Sequence, residues 1–181
     1  MNQNFYIPPF LRGENSLNSF LKSREEKDSH LPFPLDFDDL ISTKRAFLLG
    51  EPGYGKSRLL QEIVKRTEKK PQFQCCLIDL KKVSGTIEEF IKKKSTKRVS
   101  RKTHQFSSNF TLKNEEKIII CLDALDEVNQ SNFLDIVDSI IDFATTYDKV
   151  QLIISCRTHH LLRNKEDFEE LPFEVVEIFS F

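Results

Sequence analysis

No stretch of this 181-residue chain comes near the about 20 consecutive apolar residues that a membrane-spanning helix needs. Its first residues, Met1-Asn2-Gln3-Asn4-Phe5-Tyr6, lack the basic and apolar regions of a secretory leader. Charge of one sign is not in excess either. The 27 basic residues meet 28 acidic ones, a formal charge of −1, so no global field draws the chain to nucleic acid or to a membrane surface. Cysteine is sparse: Cys75, Cys76, Cys121 and Cys156 all fall in apolar, strand-like runs, and none forms a C-x-x-C pair. Their spacing does not fit a metal motif and predicts buried free thiols in a reducing cytoplasm. There is no internal repeat. Glycine is scarce as well, five in all, yet three of the five lie between positions 50 and 55.

Those three belong to Gly50-Glu51-Pro52-Gly53-Tyr54-Gly55-Lys56-Ser57, which matches the phosphate-binding pattern G-x-x-x-x-G-K-[ST]. Arg45–Leu49 before it reads as a short buried strand, and Leu59, Leu60, Ile63 and Val64 after it recur at helical spacing. Strand, glycine loop and helix is the context the pattern requires. Loop N–H groups and the positive end of the helix converge on one small volume, which suits a polyphosphate. Gly53 and Gly55 permit backbone angles that a side chain would oppose. Lys56 is expected to reach the β- and γ-phosphates, and the Ser57 hydroxyl to help hold Mg²⁺. Arg58, next along, completes the candidate cradle.

The rest of the chain alternates between the two element types. Residues 1–12, apolar and broken by Pro8-Pro9, predict an extended segment lying against the domain. Leu17, Phe20 and Leu21 form a weak helical pattern. The charged run Ser23 to His30 reads as exposed, Pro32 and Pro34 break the chain, and Phe37 and Leu40 read as a helical lead-in. The helix after the loop is expected to stop at Pro71, behind the cations Lys65, Arg66, Lys69 and Lys70. Gln74–Leu80 is the second expected strand, and Thr86-Ile87-Glu88-Glu89 has capping-box spacing for a helix through Phe90 and Ile91. Residues 92–104 carry seven basic side chains and no acidic one. They lack the interleaved aromatics of a single-strand binder, so the expectation is a solvated, mobile surface insertion rather than a nucleic-acid site. Lys117–Leu122 is apolar enough for a strand buried on both faces. A helix follows through Phe133, Leu134, Val137, Ile140, Ile141 and Ala144, then strands at Val150–Ser155 and Val175–Phe179. The pattern predicts an α/β domain on a mainly parallel sheet.

Ligands of such sheets bind at the carboxyl ends of the strands. The third strand runs straight into Asp123-Ala124-Leu125-Asp126-Glu127. Asp123 is expected to hold Mg²⁺, directly or through water. Hydrolysis also needs a carboxylate to orient or deprotonate water; Glu127 is the first choice and Asp126 the second. Arg157, just past the fourth strand, would approach the γ-phosphate if that strand lies beside the first. His159 and His160 are expected on the surface.

Together these segments resemble NACHT-type NTPases of the signal-transduction ATPase class. Gly50–Ser57 resembles their Walker A motif, and Leu122-Asp123-Ala124-Leu125-Asp126-Glu127 their extended Walker B motif. Ile153-Ile154-Ser155-Cys156-Arg157 resembles their sensor strand, Val176–Phe181 their last sheet strand, and Tyr6-Ile7-Pro8 a short segment that helps frame the base. The resemblance implies a P-loop three-layer sandwich with strand order 5-1-4-3-2, over residues 41–181, with residues 1–40 as a lead-in. It implies ATP or ADP with Mg²⁺ as ligands, weak ATP hydrolysis, and an assembly switch acting with other protein domains or subunits, in some members in antiviral defence. It also implies that the chain stops before the family's helical and winged-helix domains, as a fragment, a split gene product or a minimal module. An AAA-like ATPase, a nucleotide-binding scaffold and a small-molecule kinase are the other readings. No guanine-reading N-K-x-D pattern is present, which favours adenine.

Overall fold

The computed structural model of the chain describes residues 10–14, 16–25, 33–35, 37–70, 72–95, 104–106, 110–112, 118–168 and 173–179. Its strands are β1 (Phe10–Glu14), β2 (Phe33–Leu35), β3 (Arg45–Leu49), β4 (Gln74–Asp79), β5 (His104–Phe106), β6 (Ile118–Asp123), β7 (Gln151–Cys156) and β8 (Glu174–Phe179). Its helices are α1 (Leu17–Glu25), α2 (Phe37–Ser42), α3 (Lys56–Thr67), α4 (Ile87–Ser95), α5 (Gln130–Thr146) and α6 (Thr158–Arg163). The strands form a single sheet in the order β2-β1-β8-β3-β7-β6-β4-β5.

Five neighbours, β8-β3-β7-β6-β4, run parallel. Numbered along the chain they stand in the order 5-1-4-3-2, as the resemblance implies. β3, β6 and β7 are buried almost throughout, because helices cover both faces of the sheet. One face packs Phe47, Leu49, Ile120 and Ile154 against α4, α5 and α6; the other packs Leu48, Ile119 and Ile153 against α3. On α3, Leu59, Leu60, Ile63 and Val64 are all 0 % exposed. Each such burial is worth about 1.5–3 kcal/mol, which fixes the helix under the glycine loop.

The sheet is wider than the expected five strands. β1 pairs antiparallel with β8, β2 with β1, and β5 with β4. β1 takes up the end of the segment expected to lie extended against the domain; residues 1–9, with Tyr6-Ile7-Pro8, fall outside the described residues. Pro34, read as a break, lies in β2 opposite Arg12. An edge strand tolerates proline because only one of its sides is hydrogen-bonded. In the basic stretch, Lys92, Lys93 and Lys94 close the last turn of α4. Residues 96–103 fall outside the described residues, and His104 opens β5.

The Thr86–Glu89 capping box forms as its spacing predicts: Glu89 N donates to Thr86 Oγ1 at 3.2 Å and Thr86 N to Glu89 Oε2 at 3.3 Å. Leu80, expected in β4, instead begins a short 3₁₀ turn, Leu80–Lys82. Asp79 starts that turn by accepting from Lys81 N at 3.2 Å. A helix not expected from the sequence, α6, fills the polar stretch after β7 and changes the reading of one histidine. His159 is exposed, but His160 is half-buried, its ring edge-on to Phe133 at 5.1 Å. Among the described residues no helix is long and apolar enough to cross a membrane.

Candidate functional site

β3 ends at Leu49 and the chain turns through the glycine loop into α3. Gly53 and Gly55 have φ of 84° and 89°. A Cβ at either would touch nothing within 4 Å, so left-handed backbone rather than crowding calls for glycine there. Gly50 is the opposite case. A Cβ there would lie 3.3 Å from the Ile178 carbonyl oxygen and 3.4 Å from Ile178 Cβ, so β8 leaves it little room. Gly55 is the N-cap of α3 and supplies no side-chain acceptor. The first-turn N–H groups of α3 therefore remain for an anion. Glu51, Pro52, Gly53 and Tyr54 are exposed along the loop, and Ser57 and Arg58 are exposed at the start of α3.

Lys56 Nζ donates to the Gly50 carbonyl at 2.6 Å and to that of Glu51 at 3.2 Å. Burial lowers its pKa from the ordinary lysine value; Asp126 opposes that shift, and Arg157 adds to it. The like charges of Lys56 and Arg157 thus feel each other, as expected if β7 lies beside β3. It does, with Leu49 opposite Cys156.

The acidic residues leave β6 at the same end of the sheet. Asp123 is its last residue. Asp123 Oδ1 accepts from Ser57 Oγ at 3.1 Å and from Ser155 Oγ at 2.5 Å. Ser155 Oγ in turn accepts from Ala124 N at 2.9 Å. Ala124 has φ 62° and ψ 49°, and among the described residues it is the one non-glycine with positive φ. That conformation costs about 1–2 kcal/mol and throws the chain sharply off the strand. A short 3₁₀ turn follows, Leu125–Glu127.

The two carboxylates of that turn have different environments. Asp126 accepts from Arg157 N at 3.1 Å through Oδ1 and pairs with Arg157 Nε at 2.8 Å through Oδ2, with its side chain only 5 % exposed. Glu127 pairs through Oε2 with Lys81 Nζ at 2.7 Å, and both side chains are 43 % exposed. Its hydrogen bond raises the Lys81 pKa above the ordinary lysine value. The structure therefore brings together Lys56, Ser57, Asp123, Asp126 and Arg157. It holds the Arg157 guanidinium on Asp126 and ties Glu127 outward to the turn after β4. Sequence reasoning assigned no role to Lys81 or Ser155. Lys81 carries no local signal; Ser155 carries one, a hydroxyl in a strand otherwise apolar from Leu152 to Cys156.

A Mg²⁺ ion fits the residues present. Ser57 and Asp123 offer two hard oxygen donors beside a loop suited to phosphates, and Mg²⁺ is usually held by one or two such protein groups plus phosphate oxygens. Among the described residues no group of three or more His, Cys, Asp or Glu side chains could hold a metal by itself.

A parallel sheet in this order, a glycine loop opening a helix, and a hydroxyl linked to an aspartate at a neighbouring strand end define a P-loop nucleotide-binding domain. Residues 45–176 match the model of the AAA domain (dynein-related subfamily), and the chain belongs to that family. The match covers the sheet from β3 into β8 and every residue of the site. AAA domains generally bind ATP or ADP with Mg²⁺ and commonly assemble into oligomers. No curated protein matches the chain.

Proposed function

We propose that the chain is an ATP-binding, slowly ATP-hydrolysing switch module of NACHT type, built on residues 41–181 with the earlier residues as a lead-in. One observation carries the nucleotide reading: the Ser57–Asp123 hydrogen bond, which joins the loop to the end of β6 across 66 residues of sequence. Loop amides, the α3 N-terminus and Lys56 bind the polyphosphate, with Gly50, Glu51, Pro52, Gly53, Tyr54, Gly55 and Arg58 shaping the cradle. Ser57 and Asp123 hold Mg²⁺, which when bound neutralises phosphate charge. Glu127 rather than Asp126 serves as the water-orienting base, because both Asp126 oxygens are already engaged by Arg157. Arg157 stabilises charge on the γ-phosphate. The motif resemblance of Asp123–Glu127 and of the Arg157 strand supports the NACHT assignment, and with it assembly with other domains or subunits, a role in defence and a cytoplasmic setting.

The test is ATP binding and turnover with Mg²⁺ on the purified chain. Wild type is expected to bind ATP, Lys56→Ala to lose it, and Glu127→Gln to bind without hydrolysing. Absence of binding by folded wild type overturns the proposal. The family match also favours a second reading, a cycling AAA motor. Sustained turnover well above about 1 s⁻¹ would select the motor, whereas slow turnover with an ATP-dependent change in assembly by light scattering selects the switch.

A further inference from the structure

We infer that Ser155 is a positioning residue for Asp123: its hydroxyl fixes the carboxylate that takes Mg²⁺ and the backbone kink behind it. The inference rests on the nucleotide-binding reading above and deepens it. Ser155 lies in β7 and is 0 % exposed, as are Ile153, Ile154 and Cys156 around it. A hydroxyl buried among apolar neighbours is unfavourable unless it is hydrogen-bonded. This one makes two bonds, and both end on the Walker B turn. Its proton goes to Asp123 Oδ1 at 2.5 Å, and a lone pair receives Ala124 N at 2.9 Å.

The two bonds do different work. The first stops Asp123 from rotating, so that Oδ1 stays within 3.1 Å of Ser57 Oγ. The second satisfies the N–H of Ala124, the residue held at φ 62°. Without that acceptor the left-handed turn loses an anchor, and the direction in which Asp126 and Glu127 leave β6 is no longer set. One side chain therefore holds both the metal carboxylate and the start of the catalytic turn. It does so from a strand that lies between the two motif strands. Ser155 does not touch substrate in this scheme; it acts through Asp123.

The experiment is ATP titration of the purified full chain by calorimetry, once with EDTA and once with MgCl₂, alongside thermal melts. Four proteins are compared: wild type, Ser155→Ala, Ser155→Thr and Ser155→Val. Wild type is expected to bind ATP more tightly with Mg²⁺ than without. Ser155→Ala should keep the EDTA affinity and lose about tenfold of the Mg²⁺ increment, as expected for one hydrogen bond to a charged group. Threonine and valine add the same volume to a packed strand, so their packing cost cancels. Thr should keep the increment and Val should lose it, which holds the test open even if alanine fails to fold. A Val or Ala variant that melts lower yet keeps the full Mg²⁺ increment overturns the inference and leaves Ser155 a packing residue. A wild type that binds ATP with no Mg²⁺ increment overturns the inference and the Mg²⁺ role of Ser57 and Asp123, and leaves ATP binding standing. A folded wild type that binds no ATP in either buffer overturns the proposed function and this inference with it.

Discussion

The glycine loop and the acidic turn are built in opposite ways, although each leaves a buried parallel strand at the same end of the sheet. The glycine loop after β3 reaches positive φ at Gly53 and Gly55 with residues that adopt it freely. Its one cation, Lys56, bonds to the loop's own carbonyls. The turn after β6 reaches φ 62° with an alanine and is held by partners from other elements: Ser155 and Arg157 at β7, and Lys81 beyond β4. The first takes its backbone shape from residues of its own and reaches the acidic turn through Ser57. The second is a convergence, and its carboxylates take their roles from what the fold brings to them.

The contrast depends on the strands beneath staying buried, and the largest expected effect tests that. Burial pushes the thiols of Cys75 and Cys156 up to about 12 from an ordinary value of 9.0, and raises Cys76 and Cys121 too. The folded chain keeps these protons where the unfolded chain has lost them. Stability is therefore complete below about pH 9 and falls as pH rises toward 12, by about 1.4 kcal/mol per pH unit for each cysteine. Unfolding free energies from urea denaturation at about pH 8 and about pH 10 should differ by several kcal/mol, comparable with the whole stability of a domain, and the midpoints should move with them. Equal midpoints would show that the thiols are not buried as described.

The next effect breaks the convergence at its buried ion pair. Asp126→Ala strands Arg157 and its backbone N–H. Removing one partner of a buried pair costs about 3–5 kcal/mol, and the lower end applies because Arg157 is 38 % exposed and can turn to water. Chemical denaturation should show a loss near about 3 kcal/mol, with Arg157→Ala costing at least as much, because it leaves the buried Asp126 carboxylate with only the backbone N–H of residue 157. A loss within about 0.5 kcal/mol would place Asp126 with ordinary surface pairs. A smaller and signed effect compares the two backbones directly. Gly55→Ala puts a side chain at φ 89° and should destabilise by about 1–2 kcal/mol, whereas Ala124→Gly relieves φ 62° and should stabilise by up to about 1 kcal/mol. Shifts of the same sign in thermal melts would contradict the local-versus-convergent distinction.

That distinction also explains what was legible in the sequence. The parallel strands were, because Ile118–Leu122 and Leu152–Ile154 are apolar on both faces; so was the loop, because Gly53 and Gly55 have no ready substitute there. The Thr86–Glu89 capping box was legible for the same local reason. The edge strands were not. β2 and β5 have three residues each, and β2 contains a proline. Glu127 was preferred to Asp126 as the base, but the environments that separate them were not legible either. Their difference comes from residues 31 and 46 positions away, Arg157 and Lys81. Ser155 was visible only as a polar residue in an apolar strand, a signal that needs a partner on the next strand to acquire meaning.

The smallest stability effect carries the sharpest functional question. Lys81 and Glu127 are each 43 % exposed, so Lys81→Met should change stability by no more than about 0.5 kcal/mol. The raised Lys81 pKa works in the same direction. The pair's contribution is complete below 10.5 and is lost only as pH rises through the folded-state value, so between pH 6 and 9 the melts of wild type and variant should run parallel. Hydrolysis should differ. Glu127 Oε2 is engaged by the Lys81 ammonium at 2.7 Å, which draws the carboxylate away from the loop and weakens it as a base. Freed of that partner, Glu127 can turn toward the loop, so kcat should rise while ATP affinity stays unchanged, because Lys81 lies outside the phosphate cradle. A fall in kcat with unchanged affinity would mean the opposite: that Lys81 aims Glu127 rather than restrains it, and that the acidic turn is assembled for catalysis by its partners rather than held in check by them.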